Sequence, residues 1–102
     1  MLVPSIKKRW FVDTTQFQLK WHQLDAYYAV FHTGSAETHV LDELSANCLQ
    51  FLYSTPLNVP ELCDKLSRSF ALELDDDLYE YVDDIILQFE SLGLIEQQRA
   101  SV

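Results

Sequence analysis

Tyr27-Tyr28-Ala29-Val30-Phe31-His32, then Thr33-Gly34-Ser35-Ala36-Glu37, then Thr38-His39-Val40-Leu41 is the stretch whose reading decides the fold. An apolar run meets a turn signal, and a second short run passes without a linker into a segment of helical periodicity. A hairpin fused to a helix leaves its last strand pinned at one end. Such a strand can accept an incoming peptide as an extra strand, and no other stretch of the sequence suits function better. Folding the two runs about Gly34-Ser35 is expected to pair Val30 with Val40 and Ala29 with Leu41. In that register His32 and His39 point to opposite faces. Both faces of the hairpin are then partly apolar, so the second face is expected to meet the N-terminal segment or a partner.

Upstream, Phe17, Leu19 and Trp21 alternate with Gln18, Lys20 and His22, the period of a half-buried strand, and Leu24-Asp25-Ala26 connects it to Tyr27. Trp10-Phe11-Val12 suggests a short edge strand. Downstream, Asp42 suits the N-cap of a first helix with the stripe Leu44, Cys48, Phe51 and Leu52. Ser54-Thr55-Pro56 ends it. Asn58-Val59-Pro60-Glu61 then opens a second helix with a capping box, burying Val59, Leu62, Cys63, Leu66 and Phe70. Asp75-Asp76-Asp77 starts a longer third helix whose buried face is Leu78, Val82, Ile85, Phe89 and Leu92. Gly93 and Leu94 close it. Ile86 lies off the centre of that face and is expected to be partly accessible. The pattern predicts one α+β domain, winged helix-turn-helix-like: a small antiparallel sheet followed by three helices. Residues 1–16 form an N-terminal segment, 17–96 the domain and 97–102 a tail.

Charge is divided unevenly. Residues 1–40 hold four Lys/Arg against three Asp/Glu, whereas residues 41–102 hold three against thirteen. The third helix carries Asp76, Asp77, Glu80, Asp83, Asp84 and Glu90 with no Lys or Arg, which opposes contact with phosphates. A DNA-binding regulator, the commonest use of helix-turn-helix units, is therefore the alternative and not the leading reading, and no nucleic-acid partner is expected. Asp76, Asp83 and Glu90 recur every seven residues beside Tyr79 and Ile86. They describe either a solvated edge or an acidic rim above an apolar wall of Tyr79, Val82 and Ile86, suited to a strand with basic flanks. Leu87 faces away from the core and is a candidate homodimer contact.

Lys7, Lys8 and Arg9 precede Trp10-Phe11-Val12-Asp13 rather than an apolar stretch, so no signal peptide or membrane span is expected and the cytoplasm is the expected location. Cys48 and Cys63 lack metal-ligand spacing and read as buried small residues, a reversible disulfide between them being the other option. His22, His32 and His39 have no nucleophile elbow, phosphate loop or carboxylate pair beside them. No enzyme activity, metal or cofactor is expected.

The order of strands, hairpin running into a helix, helix pair and longer helix ending in Leu92-Gly93-Leu94-Ile95 resembles the PqqD-like peptide chaperones. Within these it is similar to the branch found beside an HPr-kinase-like protein, where the hairpin often reads Ser-Gly-Asp-Thr-His and an apolar pair. Here Ser35-Ala36-Glu37-Thr38-His39-Val40-Leu41 stands in that place. Ala36 replaces the frequent Gly, and because alanine resists positive φ a differently shaped turn is expected. The resemblance covers residues 17 to 96. It implies a winged-helix RiPP recognition element that holds a precursor peptide, or a small partner protein, for a modifying enzyme that could be HPr-kinase-like. The peptide would add to the third strand and pack against the third helix, implicating His39, Val40 and Leu41 with Tyr79, Val82 and Ile86, to which the acidic line on the third helix adds Asp83.

Overall fold

The computed structural model describes residues 8–98. Residues 1–7 and 99–102, parts of the expected N-terminal segment and tail, lie outside the described residues. The chain is α+β. Strands β2 (Leu19–Leu24), β3 (Tyr27–His32) and β4 (Glu37–Asp42) form an antiparallel sheet in that order, followed by helices α1 (Glu43–Ser54), α2 (Val59–Phe70) and α3 (Asp76–Ser91). The short strands β1 (Trp10–Phe11) and β5 (Glu96–Gln97) pair with each other, not with the sheet. Trp10 also exchanges both main-chain hydrogen bonds with Leu57, which ties the N-terminal segment to the α1–α2 connection. Trp10 and Val12 are consequently part of the single core.

Local chemistry explains the helix ends. The side chains of Asp42, Asn58 and Asp75 accept amides from Ser45, Glu61 and Leu78, and Glu61 reaches back to the Asn58 amide to complete the capping box. At the end of α3, Gly93 adopts φ 75, its N–H donates to Glu90 O and that of Leu94 donates to Phe89 O. This is the paired closure of a Schellman motif, and it delivers Leu94 into the core.

The hairpin register differs from the expected one by one residue. Val30 lies opposite His39 and Ala29 opposite Val40, with His32 facing Glu37 across a four-residue loop, Thr33 to Ala36. The loop is held by the imidazole of His32, whose Nδ1 accepts the amides of Gly34 and Ser35 at 3.1 and 3.0 Å. Ala36 completes it with φ 62 while donating its amide to His32 O. Alanine thus takes the positive φ it was expected to resist. Gly34 is needed for space, since a Cβ there would stand 2.9 Å from the His32 ring. The shift also moves His32 and His39 onto one face, the inner one, with Tyr28, Val30 and Leu41. Buried His32 stacks on Phe17, ring centroids 3.8 Å apart.

An L-residue held in the left-handed region costs about 1–2 kcal/mol, partly offset by the lower chain entropy of alanine when unfolded. Ala36→Gly is therefore expected to stabilise the domain by about 0.5–1 kcal/mol, visible as a rise of several degrees in thermal melting. An unchanged or lower melting temperature would show that the loop does not carry this strain.

Candidate functional site

β4 is an edge strand, and its free edge can be defined atom by atom. Thr33 N donates to Gln18 O at 3.0 Å, and Gln18 N donates to Thr33 Oγ1 at 2.8 Å. Extending the β2–β3 register sets these two residues opposite one another as a hydrogen-bonded pair. Such pairs alternate along an antiparallel ladder. Tyr27, Ala29 and Phe31 therefore turn their main-chain groups to β2, while Tyr28, Val30 and His32 turn theirs to β4. Their partners Leu41, His39 and Glu37 are occupied. The amides of Thr38 and Val40 point away from the sheet.

The side chains of β4 divide accordingly. Val40 is 64% exposed on the outer face, level with Ala29 and near Phe31 and exposed Tyr27 and Leu24. Among the described residues nothing covers this outer face, so residues 8–16 of the N-terminal segment do not supply the expected cover there. Leu41 is buried, and His39 is largely buried, its Nε2 lacking a hydrogen-bond partner and lying 3.8 Å from a Glu37 carboxylate oxygen.

The residues expected on α3 are placed differently. Ile86 is 1% exposed and Val82 is fully buried, so the expected accessibility of Ile86 is corrected: both belong to the core in the free protein. The reason is the width of the buried face. Leu78, Val82, Ile85, Ile86 and Phe89 are all covered, because α2 packs along α3 and shields the Ile86 flank. Tyr79 and Asp83 are half-buried on that same flank, and the Asp83 charge acts on the Cys63 thiol of α2. On the opposite flank, burial and then the Asp42 carboxylate raise the Tyr81 hydroxyl, with Ser45 opposing them. Sequence reasoning passed over Tyr81 because an exposed tyrosine on the polar side of a helix has no signal of its own.

Beside Tyr81 lies an open hollow of about 420 Å³ whose walls include Leu72, Leu78 and Tyr81, with Glu73, Asp75 and Asp77 on its lining. A second hollow, between Phe51, Leu57, Lys65 and Arg68, has charges that are largely paired: Arg9 with Glu61 at 2.8 Å and Arg68 with Asp64 at 3.3 Å. Among the described residues no group of three or more His, Cys, Asp or Glu could hold a metal ion, and no helix is long and apolar enough to cross a membrane. The Nδ1 lone pair of His32 is occupied by two amides, which leaves the proton of the neutral ring on Nε2.

Cys48 and Cys63 are buried free thiols. Burial, reinforced by the neighbouring Cys63 and by Asp42, pushes Cys48 up to about 12, and burial with the Asp83 charge pushes Cys63 up to about 11. A thiol raised above its value of 9.0 in the open chain contributes stability that is complete below pH 9 and lost as the pH rises toward 11 and 12. Urea midpoints are therefore expected to fall between about pH 8 and pH 10.5, with a smaller fall in Cys48→Ala. Equal slopes in the two proteins would remove Cys48 as the cause.

No family model, no curated protein and no solved structure matches the chain.

Proposed function

We propose that this chain is a binding module that captures an extended segment, a precursor peptide or a small partner protein, by strand addition to β4 and presents it to a modifying enzyme. The outward amides of Thr38 and Val40, on an edge strand with an exposed apolar neighbour face, carry the reading. An added strand would satisfy these groups while its side chains sample Val40 on one face and His39 on the other. The resemblance of the hairpin and helix order to PqqD-like chaperones supports the same role, with a winged helix-turn-helix arrangement and an HPr-kinase-like protein as the candidate enzyme. The chain has no catalytic role in this reading. Binding to DNA is disfavoured because α3 would bring six carboxylates and no cation to the phosphates.

The test is amide hydrogen exchange with a peptide selected on the immobilised chain from a random displayed library. Added peptide should slow exchange at Thr38 and Val40 and leave His39, already bonded to β3, little changed. Protection elsewhere, with Thr38 and Val40 unaltered, would reject strand addition.

Partner affinity should also weaken with salt, since residues 41–102 carry a net charge of −10 while residues 1–40 are near neutral. Exposed charges are screened over about 8 Å at physiological ionic strength, so a loss of about two- to fivefold between low and high salt is expected in a fluorescence titration. Salt-independent affinity would leave the carboxylates as solvation alone.

A further inference from the structure

We propose that the outer face of the β2-β3-β4 sheet is a weak homodimer interface, packed on the same face of a second copy of this chain with the strands crossing steeply. The proposal goes beyond strand addition and does not depend on it. The main-chain edge of β4 lies in the plane of the sheet and stays open in such a dimer.

The strand register fixes what this face presents. Three rows run across it: Lys20, Phe31 and Thr38; then His22, Ala29 and Val40; then Leu24, Tyr27 and Asp42. Leu24, Tyr27 and Val40 are 44%, 55% and 64% exposed, and neither they nor Phe31 pack on the core. A contiguous exposed apolar surface of this kind marks an interaction site. Its two charged residues, Lys20 and Asp42, stand at diagonally opposite corners.

That arrangement is complementary to itself. A two-fold axis between two copies, perpendicular to the Lys20–Asp42 diagonal, brings each Lys20 over Asp42 of the second copy. The same axis brings Phe31 near Val40 of the second copy and sets the two Ala29 residues together at the centre. The sheets then cross steeply, as in orthogonal sheet packing. One oxygen of Asp42 accepts the Ser45 amide, which leaves the other for the incoming lysine.

Charge also decides where two copies can meet, since each carries −9. Leu87 is exposed too, but Asp83, Asp84 and Glu90 lie one helical turn from it, so copies meeting there would oppose like charges. The outer face of the sheet, with one lysine and one aspartate, brings no net charge. Three six-residue strands make a face of about 20 Å by 14 Å. This is well below the roughly 800 Å² per partner of a standard interface, so a dissociation constant of about 10–500 μM is expected.

The experiment is sedimentation equilibrium of the full chain from about 5 μM to about 1 mM, beside variants whose folds are checked by circular dichroism. The intact chain should pass from monomer to dimer. Val40→Glu should weaken the dimer at least tenfold, and Leu87→Asp should leave it unchanged. Lys20→Glu and Asp42→Lys should each weaken it about three- to tenfold, because like charges then meet at both corners. An equimolar mixture of those two variants should regain the affinity of the intact chain, since opposite charges again meet at both corners. Loss of the α1 cap in Asp42→Lys cannot produce that recovery. A chain still monomeric at the highest concentration, a dimer untouched by Val40→Glu or by Lys20→Glu, or a mixture no tighter than its components would overturn the proposal. So would nuclear Overhauser contacts in the monomer between Val40 and residues 1–7, which would give the face to the chain's own N-terminal segment. Strand addition would survive each of these failures, because it is read separately from hydrogen exchange at Thr38 and Val40.

Discussion

Val40→Pro is expected to weaken partner binding by about ten- to hundredfold while the domain remains folded. Proline removes an amide that, by the alternation of the ladder, points away from the sheet and bonds nothing among the described residues, and edge positions of this kind are where sheets accept it. The side chain is 64% exposed, so little packing is lost. The added strand, by contrast, would present a carbonyl to a position with no donor. A partner carbonyl left unsatisfied costs about 1–3 kcal/mol, which sets a loss of that order. His39→Pro is the matched control. The His39 amide belongs to the β3–β4 ladder, so the same substitution one residue earlier should disrupt the hairpin itself. Circular dichroism with a binding titration separates the two. A folded Val40→Pro chain that binds normally would mean that the partner does not use this edge.

Ile86→Asp is expected to unfold the domain. Its side chain is 1% exposed and lies in the core with Leu78, Val82 and Phe89. A carboxylate placed there would stand in a cluster of apolar side chains, and its burial costs several kcal/mol even after relaxation. Domains of this size are stable by about 5–15 kcal/mol, so the charge and the lost packing together consume much or all of the margin. Leu87→Asp, one residue on and 56% exposed, should melt within about 1 kcal/mol of the parent chain. Thermal melting of the two variants side by side checks the assignment. An Ile86→Asp protein that melts like the parent would show that this flank of α3 is open, restoring it as a groove wall.

Much of the architecture was legible because its signals are local. Asp42, Asn58 and Asp75 announce helix starts through side chains that reach amides three residues on, and Gly93 ends α3 through a backbone angle that glycine adopts without strain. Whether the third strand of the sheet keeps a free edge was not legible, because the hairpin running into a helix fixes one end of that strand but not its neighbours; the order β2-β3-β4 places β4 at the edge. The register was not legible. Ala29 and Val30, like Val40 and Leu41, are adjacent apolar residues, so hydrophobic alternation accepts either of two pairings one residue apart. What chose between them is the His32 imidazole cradling two loop amides and Ala36 in the left-handed region, contacts that exist only once the loop has closed. The β1–β5 ribbon joins two residues near each end of the chain, a pairing with no sequence signature of its own. The flanks of α3 were ambiguous for the same kind of reason. Periodicity locates the centre of an apolar face, but whether Ile86 or Tyr81 is left accessible depends on the side from which α2 packs. That burial is settled by contacts between segments distant in sequence, after each has already adopted the conformation its own residues favour.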